Sequence, residues 1–228
     1  MINYAQRTEI IENLINFGVQ IPCPDGICID ENVKIGKGTL IFPNTIIMGK
    51  TEIGENCVIG PNSYICDTLI GDCTKLNNTQ SFNSQIGSGV TAGPFVHIRP
   101  NCKIADNVHI GNFVEVKNSS VDEGSKLPHL LYVGDSDVGK YVNFGCGCIT
   151  VNYDGRNKSR TTVKDGAFIG CNTNLVAPVT VGENAFTAAG STITEDIPDN
   201  SLAVARSKQI IKENWVNIKK PYKRQHGD

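Results

Sequence analysis

From Ile35 a large aliphatic residue returns every six positions: Ile35, Ile41, Ile47, Ile53, Ile59 and Ile65. After a five-residue step the run resumes at Ile70, Leu76 and Phe82, and a short step to Ile86 opens a third run through Ala92, Ile98, Ile104, Ile110 and Val116. Val121, Leu127, Val133, Val138 and Phe144 follow, and a last run holds Val163, Ile169, Leu175, Val181, Thr187 and Ile193. Four residues after the anchors stands a column of small side chains, among them Thr39, Thr45, Cys57, Ser63, Cys102, Cys148 and Thr173. A helix buries positions 3.6 apart and a half-buried strand every second one, so neither produces this pattern. Short flat strands separated by tight turns do, with one aliphatic and one small residue facing inward per strand, which describes a parallel β-helix.

The repeat therefore sets the fold class as all-β, with short flanking helices. Strict hexapeptide repeats resemble left-handed β-helix proteins, in which three hexads close one coil. The handedness comes from that resemblance, since parallel crossovers are otherwise right-handed. Residues 1–28 read as a lead-in with a helix over 4–17, where apolar residues fall at helical spacing, and residues 29–198 as the β-helix. Residues 151–162, "VNYDGRNKSRTT", interrupt the hexads and read as a projecting loop, the kind of segment that carries function on a solenoid. Residues 199–228 read as a second short helix over 207–217 and a basic tail, either a free end or a flap over a ligand.

With a net charge of −2 in 228 residues, bulk electrostatics do not favour a nucleic-acid partner. No apolar run is long enough for a membrane span and the N-terminus is too polar for a signal peptide, so the expected setting is cytoplasmic, with the nine cysteines reduced. Aromatic content of 7% fits a coil that needs few bulky core residues.

Cys57, Cys102 and Cys148 fall in the small inward column and read as packing. Cys146 and Cys148 point in alternate directions and make a poor chelate, and no second pair lies at zinc spacing. His97 and His109 lie two hexads apart, on different faces, with His129 in another hexad position. That spacing argues against a metal shared by three histidines, and no metal is expected. His129 alone reads equally as a packed imidazole, a ligand or a base. Arg99 and Lys117 are more telling: they are 18 residues apart and each follows its aliphatic anchor. One coil step stacks them about 4.8 Å apart. Two such cations repel unless an anion joins them, and Arg with Lys suits a phosphomonoester. Glu115 is the bland alternative partner, but it is expected to point to the opposite side of its strand.

The stretches "GPFVHIRP" (93–100), "IGNFVEVK" (110–117), "HLLYVGD" (129–135), "VNFGCGCITVNYDGRNK" (142–158), "IGCNTNLVAPV" (169–179) and "AAGSTIT" (188–194) narrow the reading further. Together they resemble the acetyltransferase domain of the bifunctional bacterial glucosamine-1-phosphate N-acetyltransferase/N-acetylglucosamine-1-phosphate uridyltransferase family. The resemblance implies that His129 is the general base and that Arg99 and Lys117 bind the sugar phosphate. It implies that Tyr132 and Asn143 hold the sugar, and that Lys158 reaches a neighbouring subunit's phosphate. Cys146, Asn152, Tyr153, Cys171, Ala189 and Arg206 occupy positions that contact acetyl-CoA. The implied reaction is direct acetyl transfer from acetyl-CoA to the 2-amino group of glucosamine 1-phosphate, in a homotrimer whose sites lie between subunits. A neutral imidazole takes the amine proton, and a backbone N–H near Cys146 stabilises the oxyanion. No metal is needed for this step.

Two residues depart from the family: Cys146 stands where Ala is common and Cys171 where Ser is common. A backbone contact survives either change, and Cys146 has no activating base in sequence to make it a nucleophile. Nothing in the first thirty residues resembles the family's nucleotidyltransferase domain, so neither uridyltransferase activity nor a Mg²⁺ requirement is expected. The alternatives are an acetyltransferase for another amino-sugar phosphate and a non-catalytic trimeric ligand-binding paralogue.

Overall fold

The hexad anchors do point inward. Ile41, Ile47, Ile59, Ile98, Ile110 and Ile169 are completely buried, and so are the small-column residues Thr39, Thr45, Thr74, Ser125 and Thr173. The computed structural model, which describes residues 4–219, is a left-handed parallel β-helix of about ten turns. Most strands are two or three residues long and each pairs in parallel with the next coil, as Cys28–Ile29 does with Ile46–Met48. Several of the small inward residues are also working hydrogen-bond groups. Thr39 accepts from the Cys57 N–H at 3.0 Å and donates to the Gly54 carbonyl at 2.8 Å, and Thr74 repeats this with Val90 and Gly87. These hydroxyls satisfy backbone groups that the turns would otherwise leave unpaired inside the coil. Glycine after the aliphatic anchor has a steric cause: a Cβ on Gly36 would lie 2.5 Å from the backbone of Gly54 in the next coil.

Each coil bends at corners where the backbone takes positive φ, a conformation that asparagine and glycine tolerate best. One column of corners runs Gly38, Asn56, Cys73, Gly89, Asn107, Gly124, Tyr141 and Gly166. A second contains Asn44, Asn62 and Asn78 but then Phe95, Phe113 and Leu130, all of which are exposed. Phe95 and Phe113 stack at 5.1 Å between centroids. A third holds Gly49, Asp67, Asn83, Asn101, Asn118 and Asp135.

The repeat is less strict than its sequence. Lys34 pairs with Glu52, a step of 18, whereas Ser120 pairs with Asp137, a step of 17. A short coil explains a wrong anchor: Ser81, paired with Ile65 and Ile98, is the inward residue, not Phe82. Phe82 turns outward and meets Tyr64 and His97 edge-on, at 5.2 and 5.8 Å. The longest step, Ser136 to Thr161, accommodates the projecting loop. The ends of the expected 151–162 segment belong to the strands Ile149–Val151 and Thr161–Val163, and an antiparallel bridge between Tyr153 and Lys158 closes the loop between them.

Helix α1 (Tyr4–Phe17) lies against the first coil, with Ile11 buried and Ile10 and Leu14 packed on the core. The coil itself extends beyond 29–198: Gln20 bridges to Leu40, and Leu202–Ala203 pairs with Phe186–Thr187. The second helix is shorter than expected, with α2 spanning Trp215–Lys219 and residues 207–214 non-helical. Ile210 and Ile211 are 82% and 74% exposed, so none of the described residues covers this segment, and short helices without packing are marginal. The rest of the expected basic tail, 220–228, lies outside the described residues.

Candidate active site

The strand Lys126–Gly134 turns a corner at Leu130, whose φ is 49°. His129 lies before that corner and is exposed, while Tyr132 lies after it and is half-buried. Alternation along this strand sends Leu131 and Val133 into the core, which leaves Tyr132 facing outward between the histidine and a cluster of charges.

That cluster is built on successive coils. Val116 pairs with Ile98, so Lys117 sits one step from Arg99, as their spacing predicts. Each cation has an internal carboxylate. Arg99 Nη1 donates to Glu115 Oε1 at 2.9 Å, and Lys117 Nζ to Asp135 Oδ2 at 3.3 Å. The expectation that Glu115 points away is thus corrected: with Val116 inward, residues 115 and 117 both face outward, and Glu115 reaches the Arg99 fork.

Asp135 is 5% exposed and also accepts from Asn118 Nδ2 at 2.5 Å and from Asn152 Nδ2. Burial opposes its charge, but these donors and Lys117 outweigh it and hold the carboxyl below the usual range. Burial likewise opposes the charge on Lys117, yet its bond to the Asp135 carboxylate leaves its pKa raised. The adjacent Lys117 pushes the Lys158 ammonium below its usual value. Arg99, Lys117 and Lys158 therefore face Glu115 and Asp135 with one positive charge in excess, a surface suited to an anion. Within this chain Lys158 stands beside Lys117.

A second group lines one edge of the coil. The His129 carbonyl accepts from the Gly147 N–H at 3.3 Å, the Cys146 carbonyl from Asn172 at 2.8 Å and the Cys171 carbonyl from Gly190 at 2.8 Å. His129, Cys146, Cys171 and Ala189 thus occupy equivalent positions on successive coils, each just before a positive-φ corner. Arg206 Cδ lies near Gly190, beside the end of this column. Asn143 is on the strand Asn143–Phe144, paired with Lys126, one coil beyond the start of the histidine strand. The remaining coenzyme candidates sit elsewhere. Asn152 is buried with its amide on Asp135 and, at 3.3 Å, on the Tyr132 hydroxyl, so it belongs to the basic cluster. Tyr153 is exposed on the loop, and its hydroxyl donates to the Gly155 carbonyl at 2.7 Å.

Sequence reasoning missed Asp135 and Asn118. The signal was only partial: Asp135 ends the quoted "HLLYVGD", but the coil step there is 17 residues, so Lys117 pairs with Gly134 and Asp135 is the equivalent of Asn118.

Among the described residues no three His, Cys, Asp or Glu side chains gather closely enough to hold a metal ion. A groove of about 1080 Å³, lined by Leu14, Phe17, Ile53, Leu69 and Lys103 among others, touches none of the candidate residues. Among the described residues no helix is long and apolar enough to cross a membrane.

The family model for the bacterial transferase hexapeptide (six repeats) matches residues 32–67, 83–118 and 160–195. The chain is 58% identical over 211 residues to the bifunctional protein GlmU of Geobacillus sp. (strain WCH70), covering 92% of this chain and 46% of that protein. Identity is 55% over 212 residues to the GlmU of Caldanaerobacter subterraneus subsp. tengcongensis, covering 93% and 46%. It is 49% over 213 residues to that of Clostridioides difficile (strain 630), with the same coverage, 93% and 46%. The chain spans about half the length of the curated relatives it matches. With its hexad core and these matches, the chain belongs to the bacterial hexapeptide transferase family, as a homologue of the acetyltransferase half of the GlmU proteins.

Proposed function

We propose that the protein transfers the acetyl group of acetyl-CoA to the 2-amino group of glucosamine 1-phosphate. The observation that carries this reading is the strand Lys126–Gly134, which presents an exposed histidine and, past one corner, a tyrosine beside a cluster with one cation in excess. A sugar phosphate fits that layout. Arg99, Lys117 and Lys158 take the phosphate, while Tyr132 and Asn143 hold the ring. The amine then faces His129, whose neutral imidazole accepts its proton as nitrogen attacks the thioester carbonyl. The carbonyl carbon becomes tetrahedral, and its oxyanion is held by a backbone N–H near Cys146. Collapse expels the coenzyme A thiolate, which takes up a proton, and leaves the N-acetyl sugar phosphate.

The column Cys146, Cys171, Ala189 and Arg206 supports a coenzyme lying along the coil edge with its thioester toward His129. Neither the loop position of Tyr153 nor the inward amide of Asn152 conflicts with a coenzyme passing beside the loop. Assembly as a homotrimer in the cytoplasm belongs to the same proposal. An exposed base on an open coil edge excludes little water, and a neighbouring subunit supplies the missing wall.

The test is release of thiol from acetyl-CoA with glucosamine 1-phosphate as acceptor, in the presence of EDTA. His129→Ala should reduce turnover by about 10²-fold or more. Lys117→Ala should raise the KM for the sugar phosphate by about tenfold or more, in line with loss of a charge-assisted contact. Substrate binding by the wild type without turnover would overturn the catalytic reading. Turnover with other amino-sugar phosphates but not this one would overturn the acceptor.

A further inference from the structure

We propose that Asp135 is a positioning residue that latches the projecting loop onto the basic cluster, so that Lys117 and Lys158 meet a phosphate in one fixed arrangement. This rests on the phosphate reading of the cluster given above.

The column of corners that holds Asp135 provides the comparison. Its neighbours Asp67, Asn83 and Asn101 adopt the same positive φ and are exposed. Asp67 spends its carboxylate on the Lys50 backbone N–H at 2.9 Å. The corner alone therefore asks only for a residue that tolerates this backbone, and asparagine meets that need elsewhere. Asp135 differs because it is buried and the loop reaches it through Asn152. Its partners come from two parts of the chain: Lys117 and Asn118 from the coil above, and Asn152 from the start of the loop. The end of the loop is fastened at the same residue, through the Thr161 N–H to the Asp135 carbonyl at 3.1 Å.

All three side-chain partners are donors. A carboxylate accepts from each of them, whereas an amide in its place would turn an NH₂ group toward a donor. The choice of aspartate is thus explained by the loop and the lysine, not by the corner. Asn152 extends the latch to the sugar-facing hydroxyl of Tyr132.

The experiment uses the full chain in three variants. Asp135→Asn is predicted to speed tryptic cleavage within the loop, at Arg156, Lys158 or Arg160, by about tenfold or more as the loop opens locally. It should also raise the KM for glucosamine 1-phosphate well above any change in the KM for acetyl-CoA. Asn152→Ala cuts the loop tie but leaves the Lys117–Asp135 pair, and is expected to give the faster cleavage with a smaller KM change. Asp67→Asn, the same residue type at an equivalent exposed corner, should match the wild type in both readings. Cleavage at the wild-type rate in both Asp135→Asn and Asn152→Ala would overturn the latch. So would an Asp135→Asn enzyme in which both KM values rise together. If cleavage accelerates as expected while no protein, wild type included, transfers acetyl groups, the latch stands and the enzymatic reading falls.

Discussion

Cys146, Cys148 and Cys171 lie within one coil step of each other, yet their thiols differ in kind. Cys148 is buried in the small inward column, its Sγ donating to the Gly170 carbonyl at 3.1 Å, and burial pushes its pKa up to about 11. At pH 8 about one such thiol in a thousand is the reactive thiolate. Cys171 is exposed, as is Cys73, and Cys146 is half-buried. Iodoacetamide at pH 8 should therefore modify Cys73 and Cys171 first, while Cys57, Cys102 and Cys148 react only after unfolding. Peptide mass spectrometry of a labelling time course checks this. The inert class was legible from the hexad alone, because position in the small column decides burial. The charge cluster was only half legible. Arg99 and Lys117 could be stacked by counting, but Glu115 was assigned to the wrong side, and Asp135 acquires its partners only when the loop folds back. Sequence spacing describes neighbours along the coil better than contacts made across a corner.

At the level of strands and turns, the corners matter most. In the column from Gly38 to Gly166, Cys73 and Tyr141 alone among the described residues are neither glycine nor asparagine. Cys73 has a φ of 58° and is exposed, so it bears the strain of that backbone with no packing in return. Cys73→Asn should stabilise the protein by about 1 kcal/mol, measured as a shift in the denaturant midpoint at constant slope. A destabilised variant would show that the thiol makes a contact the fold requires. Phe95, Phe113 and Leu130 break the same rule in another column, beside His129, and there the bulky apolar side chains form a ridge at the candidate site. These elements were legible to different degrees. The period marked almost every strand, since most bury one aliphatic residue. It failed at Phe82, where a shortened coil moved the inward position to Ser81. The helix over 207–217 failed for another reason: its apolar residues have the spacing of a helix but no partner among the described residues to bury them.

For the molecule as a whole, the solenoid has two ends, and each would offer a row of unpaired backbone groups. Helix α1 manages the first. It covers the core with Ile11, and Arg7 donates from Nε to the Ile27 carbonyl at 2.6 Å and from Nη2 to the Pro24 carbonyl. Removing residues 1–17 should leave the coils folded, because each is stabilised by its neighbours, but make the protein associate end to end. Light scattering against concentration, with circular dichroism to confirm retained strand content, checks this. A truncated chain that stays dispersed would mean that the coil edge needs no cover.

The unequal coil steps also bear on how such a protein can change over time. Arg99, Lys117 and Asp135 are fixed by their addresses relative to one another, one strand spacing at a time, and not by their distance from either end. A whole coil gained or lost before residue 85 would lengthen or shorten the molecule by one graduation and leave those addresses intact. A single residue gained within residues 99–135 would misalign them. The solenoid behaves as a ruler whose origin can drift while the marks at the candidate site keep their spacing.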